Sequence, residues 1–396
     1  MHCTRRVTED IVWVGADNRR LALFEAVYSV PKGMSYNSYL ILDEKCTLID
    51  TADRSVTDTF LENIESTLNG RSLDYLVIQH MEPDHSATLF DVLARYPECT
   101  VVCNQKTYAM IKAFKNKDVN AHIVKEGDTL SLGKHTLSFI FAPMVHWPEV
   151  MVSYDSASGT LFSADAFGLF GALGGALFAD EVSFEKDHLD EARRYYCNIV
   201  GKYGVQVNNL LKKASSLDIK NICPLHGFVW RENIEYIVNK YLLWANYQPE
   251  ERGVMIAYAS VYGNTEKVAN YLACRLFDRG IRCSLYDTSV TEASHIVADS
   301  FKYSHLVFAS VTYNGGAFVC MENLLSDIVC HGVKGKKIAL IENGSWAASA
   351  AKRMRDILAP LKDCEYLCDD ISFKSAMHTD SDEKIEKLVD LIASTV

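Results

Sequence analysis

The stretch Tyr75-Leu76-Val77-Ile78-Gln79-His80-Met81-Glu82-Pro83-Asp84-His85 joins an apolar run to four side chains that can bind metal ions. The apolar run predicts a strand, and two imidazoles with two carboxylates follow at its end. Alternate side chains on an extended segment point the same way, while a turn at Pro83 redirects those that follow. Nitrogen and oxygen ligands at this density can hold two cations, so the stretch predicts a dinuclear metal site.

Composition is that of a globular protein and narrows the range of partners. The 396 residues exceed what one hydrophobic core usually organises, which favours two domains. With a net charge of −11 and no Lys/Arg cluster longer than a pair, nucleic acid is not an expected partner. No apolar stretch reaches the roughly 20 residues that cross a bilayer, and the N-terminus lacks a signal peptide's apolar region, so a membrane is not expected either.

Twelve cysteines do not predict a disulfide framework, because most stand singly inside predicted strands or helices. The closest pairs, Cys99/Cys103 and Cys364/Cys368, lack the Cys-X-X-Cys spacing of a zinc knuckle. Without a secretion signal, this pattern predicts buried thiols in a cytoplasmic protein.

The chain changes character near residue 250, where we predict a domain boundary. A helical pattern over 234–243 ends at the polar segment 248–253, which contains a proline. Residues 1–250 mix strands and helices, which predicts packed sheets with outer helices. Over 251–396, five strand-length segments each precede a helix-length segment, and this alternation predicts a doubly wound parallel sheet. The five strands are predicted at 254–259, 282–286, 305–309, 337–341 and 365–371.

In the first half, two strand patterns at 39–42 and 46–49 flank a polar turn and predict a hairpin. Further strands are predicted at 75–79, 100–103, 137–141, 150–154, 160–163 and 219–223. Helices are predicted at 56–68, 86–95, 105–114 and 189–213.

Three more possible metal ligands, His146, Asp165 and His226, also stand just past predicted strands. A single histidine or aspartate at such a place is more often an ordinary polar residue. Its recurrence at three strand ends, together with the cluster at 80–85, predicts that all of them converge on one metal site.

The order His-X-Glu-X-Asp-His, followed by a distant His, Asp and His, resembles the metallo-β-lactamase superfamily, whose fold is an αββα sandwich. Zinc hydrolases of that superfamily usually carry a second histidine where this chain has Glu82. A carboxylate there suits redox-active iron better than zinc. The resemblance implies one iron held by His80, Glu82 and His146, another held by Asp84, His85 and His226, and Asp165 as the bridge. Superfamily members differ in whether the imidazole at His85 binds.

The second half carries a loop suited to a phosphate, Ser260-Val261-Tyr262-Gly263-Asn264-Thr265, between a predicted strand and a helix. Hydroxyls, close backbone approach at the glycine and free N–H groups at the helix start can together hold a phosphate. The loop resembles the phosphate loop of flavodoxins, which often have threonine where this chain has Tyr262. Two later loops stand where FMN contacts occur in that fold, with Tyr313 and Trp346 predicted to flank the ring system: Thr312-Tyr313-Asn314-Gly315-Gly316 and Asn343-Gly344-Ser345-Trp346.

A metallo-β-lactamase-like half over 1–250, followed by a flavodoxin-like half over 251–396, resembles the flavodiiron proteins. The resemblance implies FMN and two non-haem iron ions, with reduction of dioxygen to water or of nitric oxide to nitrous oxide. It also implies a head-to-tail homodimer or a dimer of dimers. The predicted minimal two-domain type needs an external electron donor such as rubredoxin or its reductase. Neither the gas preference nor the donor follows from the sequence.

Residues near the predicted metal site could form a substrate pocket or donate protons. Glu25 and Tyr195 are the candidates for a catalytic role, and some family members have histidine where this chain has Glu25. Further candidates for pocket walls are Phe24, Trp147, Phe167 and Tyr196. Core packing is the commoner role for residues of these types.

Two other functions stay open. One is a zinc hydrolase of the β-lactamase fold fused to a flavodoxin-like domain that only regulates or docks. The other is a flavodoxin-type electron carrier whose front half is a docking module with an accidental ligand cluster.

Overall fold

The computed structural model describes residues 2–396, apart from the side chains of residues 379–381. The chain divides into two compact units, Met1–Tyr241 and Leu242–Val396. This division lies a few residues before the boundary that we predicted at 250, which stays a prediction.

The first unit contains a seven-stranded mixed sheet. The predicted hairpin is present, because Tyr39–Ile41 and Thr47–Ile49 pair antiparallel. Beyond the hairpin, three further strands run parallel, and the central residues of Tyr75–Val77 and Thr100–Asn104 are buried, as their continuous apolar runs require. The strand order is Arg5–Arg6, Ile11–Trp13, Tyr39–Ile41, Thr47–Ile49, Tyr75–Val77, Thr100–Asn104 and Ala121–Val124.

A second sheet of five strands completes the β-structure that supports the metal-ligand segments. Its strands lie in the order Thr129–Ser131, Thr136–Phe141, Met151–Asp155, Thr160–Phe162 and Asn221–Cys223. Two short strand pairs lie outside these sheets: Ala16–Asn18 with Met34–Tyr36, and Leu23–Phe24 with Tyr28–Ser29. The backbone N–H of Met151 donates to the carbonyl of Gln79, which joins the second sheet to the end of the strand before the ligand cluster.

The helices of the first unit follow the sequence prediction with two corrections. The predicted helix 86–95 is two short helices, Pro83–Ser86 and Leu89–Arg95. The predicted helix 189–213 is interrupted by a π-helical segment, Tyr196–Val200, and a 3₁₀ turn, Gly201–Tyr203. Segments of π-helix occur often at functional sites. The remaining helices are Thr57–Leu68, Gln105–Lys115, Phe184–Asp187, Leu189–Tyr195 and Gly204–Ala214, while Ile234–Ala245 crosses the division between the units.

The second unit contains a five-position parallel sheet with the order second, first, third, fourth, fifth, which is typical of flavodoxin-like folds. Its strands in that order are Cys283–Asp287, Glu251–Ala259, Tyr303–Tyr313, Lys337–Asn343, and the pair Glu365–Tyr366 and Ile371–Phe373. The helices are Asn264–Asp278, Ala293–Lys302, Val319–Cys330, Ala350–Leu358 and Thr379–Thr395. The prediction of a single last strand over 365–371 is wrong, because the polar Asp369 and Asp370 leave the sheet between the two short pieces.

The short strand Gly316–Ala317 folds back antiparallel on Tyr303–Tyr313. Buried aliphatic residues of the strands Glu251–Ala259 and Lys337–Asn343 form a core with the helices Asn264–Asp278 and Thr379–Thr395. In the part of the chain that the structure describes, no helix is both long enough and apolar enough to span a bilayer.

Candidate metal centre and cofactor pocket

The backbone at residues 79–84 is arranged so that the ligand cluster points into the first unit. The buried carboxylate of Asp50 accepts hydrogen bonds from the backbone N–H groups of Gln79 (2.8 Å) and His80 (3.3 Å). A helical turn then begins at Pro83, a favoured residue at the first helical position, with Glu82 at its N-cap. Asp50 itself has φ +54°, a left-handed conformation that is uncommon for residues other than glycine.

Four of the predicted ligands form a first donor group, His80, Glu82, His146 and Asp165. The Nε2 atom of His80 lies 3.2 Å from Glu82 Oε2 and 3.1 Å from Asp165 Oδ2. His146 Nε2 lies 3.0 Å from the same glutamate oxygen and 3.2 Å from the same aspartate oxygen. The donor atoms of this group therefore converge on one small volume.

The other three predicted ligands, Asp84, His85 and His226, form a second donor group. Asp84 Oδ2 lies 3.1 Å from His226 Nε2 and 3.3 Å from His85 Nε2. His85 Nε2 is also 3.1 Å from Asp165 Oδ1. Asp165 thus turns one carboxylate oxygen to each group, and the imidazole of His85 faces the second group.

The chemistry of these atoms fits cations between them. The structure gives no hydrogen bond to the buried carboxylate oxygens of Asp84 and Asp165, nor to Nε2 of His85 and His226. Burial alone would raise the pKa of Asp165, but the neighbouring imidazoles hold it well below its ordinary value. Burial would likewise lower the pKa of His85, but the carboxylates raise it to about 8. Imidazole protons thus supply the positive charge that metal ions would bring, and metal binding would release them.

Two of the imidazoles are oriented by contacts at Nδ1, on the edge of the ring that faces away from the donor groups. His80 Nδ1 lies 2.8 Å from Glu149 Oε1, and His226 Nδ1 lies 2.6 Å from the carbonyl oxygen of Ser35. Both partners accept hydrogen bonds, so Nδ1 of each ring carries a proton and Nε2 faces the centre, where its lone pair would bind a metal ion after release of any proton on Nε2. Such contacts fix the ring orientation of metal-binding histidines.

Aromatic rings lie beside the imidazoles of both donor groups. Phe24 and Tyr195 contact the His226 ring with centroid distances of 5.4 Å and 5.6 Å. Trp147 meets the His80 ring edge-on at 5.4 Å. The other two predicted wall residues lie elsewhere in the core: Phe167 and Tyr196 both pack against Tyr241.

Both predicted catalytic residues of the first unit lie beside the donor groups. Tyr195 is buried, and burial together with the charges of Asp165 and Asp84 raises the pKa of its phenol well above the ordinary value. Glu25 is exposed as a residue, but its carboxyl group lies against Glu82. Local desolvation and the charge of Glu82 raise the pKa of Glu25 to about 8.

The second unit contains a cavity of about 490 Å³ at the carboxyl ends of its strands. This volume lies within the range of small-molecule and cofactor sites. Every predicted FMN-contact residue lines the cavity except Gly263 and Gly316, which adjoin lining residues. The lining also includes Val311, which directly precedes Thr312, and three residues that we did not predict, Ala347, Ser349 and Ser375.

The loop before the helix Asn264–Asp278 has the geometry of an anion site. Gly263 has φ +83° and its N–H donates to the Ser260 hydroxyl at 3.0 Å. The free N–H groups of the first helical turn face the same end of the helix. At Gly344, a Cβ atom would lie 2.8–2.9 Å from the backbone of Ala348, so the close approach of this loop requires glycine.

Two predicted contact residues use their side chains to hold the loops. The Thr312 hydroxyl accepts hydrogen bonds from the N–H groups of Ser349 and Ala350 at the start of a helix. The Asn343 amide exchanges two hydrogen bonds with the backbone of Ser375. In contrast, Tyr262 and Trp346 are 92% and 89% exposed at the cavity, an unusual state for large aromatic side chains.

Comparison with known proteins agrees with the folds of both halves of the chain. A profile described as "ODP family beta lactamase" matches residues 34–227. The anaerobic nitric oxide reductase flavorubredoxin of Vibrio vulnificus is 32% identical over 89% of this chain and 72% of its own length. The nitric oxide reductase of Moorella thermoacetica is 31% identical, with 90% of each chain covered. The rubredoxin oxygen:oxidoreductase of Desulfovibrio gigas superposes with a TM-score of 0.92 at 27% identity, covering 99% of this chain and 98% of that one. The flavodiiron protein of Giardia intestinalis gives 0.92 at 25% identity, covering 99% and 97%.

The chain belongs to the flavodiiron protein family. The predicted fold class is therefore confirmed: an N-terminal metallo-β-lactamase-like αββα sandwich and a C-terminal flavodoxin-like doubly wound sheet.

Several residues that shape the centre of this flavodiiron protein were not predicted from the sequence. Glu149 and Ser35 contact the ligand imidazoles, and Tyr36 packs its ring 5.8 Å from that of His226. Asn37 donates to the carbonyls of Pro224 and Gly227 and so shapes the loop that carries His226. Their sequence separation from the ligands is large, and Glu149 alone gave a usable signal as an acidic residue three positions after His146.

Proposed function

We propose that this chain is a flavodiiron oxidoreductase that reduces dioxygen to water, nitric oxide to nitrous oxide, or both, with electrons delivered through FMN. The observation that carries the proposal is the position of Asp165, whose two oxygens face two separate donor groups. Relatives that share most of their length with this chain bear the names of nitric oxide and oxygen reductases, which supports both gases and favours neither.

For the metal centre, we propose one iron held by His80, Glu82 and His146 and a second held by Asp84, His85 and His226, with Asp165 as the bridge. Bound iron would supply the one-electron redox chemistry that zinc lacks. The orientation of His85 Nε2 toward Asp84 and Asp165 supports its inclusion as a ligand.

Around the ligands, we assign the exclusion of water to Phe24 and Trp147, whose rings cover the imidazoles. Gas reduction consumes protons, and Tyr195 and Glu25 are the proposed donors. The raised pKa values of both groups keep a proton on the phenol and favour one on the carboxyl at neutral pH.

In the second unit, we propose that the cavity binds FMN through the phosphate loop 260–265, with the loops 312–316 and 343–346 against the ring system. Exposed aromatic side chains beside a neutral, hydroxyl-rich cradle support this assignment. We also propose functional domains over 1–250 and 251–396, in which the boundary lies in the proline-containing segment 248–253 after the helix Ile234–Ala245 rather than at the packing division.

The family also suggests partners, which we propose for this chain: a head-to-tail homodimer or a dimer of dimers, and an electron donor such as rubredoxin or its reductase. The names of the Vibrio and Desulfovibrio relatives both contain rubredoxin, which supports that donor class. A cytoplasmic location remains our prediction from the cysteine pattern.

The test is metal and flavin analysis of protein assembled with iron under anaerobic conditions, followed by stopped-flow mixing of the reduced protein with each gas. We expect about two irons and one FMN per chain and rapid reoxidation by at least one gas. Two zinc ions with hydrolytic activity would instead identify the zinc hydrolase. A metal-free flavoprotein that still transfers electrons would identify the carrier.

A further inference from the structure

The imidazoles of the two donor groups have unequal partners on the side away from the centre. In the first group, His80 Nδ1 lies 2.8 Å from a carboxylate oxygen of Glu149. In the second group, His226 Nδ1 lies 2.6 Å from the neutral carbonyl of Ser35. His85, also in the second group, has a buried Nδ1 to which the structure gives no hydrogen bond.

Glu149 is held firmly in this position. Its side chain is buried, and Oε1 accepts a second hydrogen bond from the backbone N–H of Met81 at 2.9 Å. Its backbone carbonyl accepts from the amide of Asn104 at 2.6 Å, which ties the residue to the helix Gln105–Lys115. A buried carboxylate is unfavourable unless a hydrogen-bonded partner offsets the loss of water, and the His80 imidazole is such a partner.

A carboxylate behind a metal-binding imidazole does more than orient the ring. It draws the Nδ1 proton toward itself and so increases electron density at Nε2, which strengthens the bond to a cation. A neutral carbonyl has this effect more weakly, and an imidazole without a partner does not receive it. The two donor groups otherwise resemble each other, because each has two imidazoles, one carboxylate of its own and one oxygen of Asp165.

We infer that Glu149 is a positioning residue that makes the two metal sites unequal, so that the group containing His80 binds its ion more tightly than the group containing His226. This inference rests on the proposed function, since it concerns the same pair of metal ions. As a consequence, the ion between His80 and His146 enters first and leaves last, and the site containing Asp84, His85 and His226 exchanges its ion more readily.

The experiment is an anaerobic titration of the metal-free full-length protein with ferrous iron, in competition with a chromogenic chelator. We expect two resolved binding constants. The variant His226→Gln weakens only the weaker constant and so assigns it to the second group. Glu149→Gln keeps the side-chain shape and one acceptor oxygen, which can still accept the hydrogen bonds from His80 and Met81, but removes the charge. It should weaken the tighter constant roughly 10–100-fold, the effect typical of lost outer partners of metal ligands, and leave the other unchanged.

Asp155→Asn is the matched control, because Asp155 is a buried carboxylate of the same unit that lies 2.8 Å from Nδ1 of His135, an imidazole outside both donor groups. It should leave the tighter constant unchanged. A purely structural role for Glu149 predicts instead that both constants weaken together, which would overturn the inference.

If Glu149→Gln does not fold, chelator-driven iron release from the unaltered protein still decides the matter. Loss in two steps, with His226→Gln lacking the faster one, supports the inference, and loss of both ions in one step contradicts it. Failure of the unaltered protein to bind iron at all would count against the proposed function itself, so the two failures are distinguishable.

Discussion

The two candidate sites of this protein consist of different kinds of chemical groups. At the metal centre, seven buried or nearly buried imidazoles and carboxylates supply the donor atoms, and each is a side chain of specific chemistry. The cavity of the second unit has no charged residue in its lining, which consists of hydroxyls, amides, glycines, aromatic rings and small apolar residues. The first site should therefore be sensitive to the identity of single side chains, and the second to the space that the backbone leaves.

The largest effect should follow removal of the side chain shared by both donor groups. In Asp165→Ala, each group loses one oxygen, so iron binding should fall by more than the roughly 100-fold that the loss of an outer partner causes. Gas reduction should be lost while FMN is retained. Metal analysis and the flavin absorption spectrum of the purified variant measure both.

Asp180→Ala is the control for this variant, because Asp180 is an exposed carboxylate of the same unit that pairs with Arg231. It should keep both ions. If Asp165→Ala also keeps both, the bridging assignment is wrong.

Gly344→Ala should show the opposite sensitivity, with FMN weakened and iron retained. A Cβ atom there would press on the Ala348 backbone, and overpacking of this kind typically costs about 1–3 kcal/mol. This corresponds to a roughly 5- to 150-fold weaker FMN dissociation constant, measured by quenching of flavin fluorescence. Gly280→Ala is the control, since it lies at φ +73° with open space around it and outside the cavity lining. Equal FMN affinity in both variants would contradict the steric argument.

The same difference between the two sites explains which of their features could be predicted from the sequence. The convergence of the candidate ligands, His80 to His226, could be predicted because each is a side chain that can bind metal and stands at or just past the end of an apolar run. The alternation of strands and helices likewise predicted the parallel sheet of the second unit. The role of Glu149 was not predicted, because its place three residues after His146 does not indicate its contact with His80, which stands 69 residues earlier in the chain. The π-helical segment at 196–200 has no periodic signal, and Ser375 reaches the cavity through hydrogen bonds with Asn343 and Ser345, about 30 residues earlier in the chain.

Two buried histidines, His305 in the second unit and His135 in the first, should respond to pH in opposite directions. His305 in the second unit is buried between the neutral hydroxyls of Ser304 and Thr395, and burial with the charge of Lys337 lowers its pKa to about 4. Its unfolded form binds a proton near pH 6.5, so stability is lost as the pH falls from about 6.5 to 4. We expect a loss of about 2 kcal/mol at pH 5 relative to pH 7.

In the first unit, burial alone would lower the pKa of His135, but its contacts with Asp155 and Asp10 raise it. The stability that this group contributes is present at acidic pH and is lost as the pH rises through the raised pKa. Hydrogen exchange of peptides from Tyr303–Tyr313 and Thr136–Phe141, corrected for intrinsic rates, follows the two histidines, with pH 5 compared to pH 7 for His305 and pH 6 compared to pH 9 for His135. His305→Gln should abolish the acid effect in the second unit. The same pH trend in both peptides would contradict the assignment.

A smaller effect is expected from the exposed indole at the cavity. Trp346→Ala should weaken FMN binding by about 0.5–1.5 kcal/mol, the range for an aromatic pair, or roughly 2- to 12-fold. Fluorescence titration with FMN measures this change. Val290→Ala removes another highly exposed apolar side chain of the same unit outside the cavity lining and should have no effect. If the two variants behave alike, Trp346 does not contact the ring system.

The smallest effect concerns Tyr262, where the flavodoxin-like loop departs from its usual threonine. At 92% exposure, its side chain extends into solvent from a loop in which the Ser260 hydroxyl already bonds to the Gly263 N–H. If the backbone and the remaining hydroxyls hold the phosphate, then Tyr262→Phe should change the FMN dissociation constant by no more than about twofold, as is usual for surface substitutions. A loss of tenfold or more would mean that the phenol hydroxyl bonds to the cofactor. The cavity would then depend on a specific side chain, as the metal centre does.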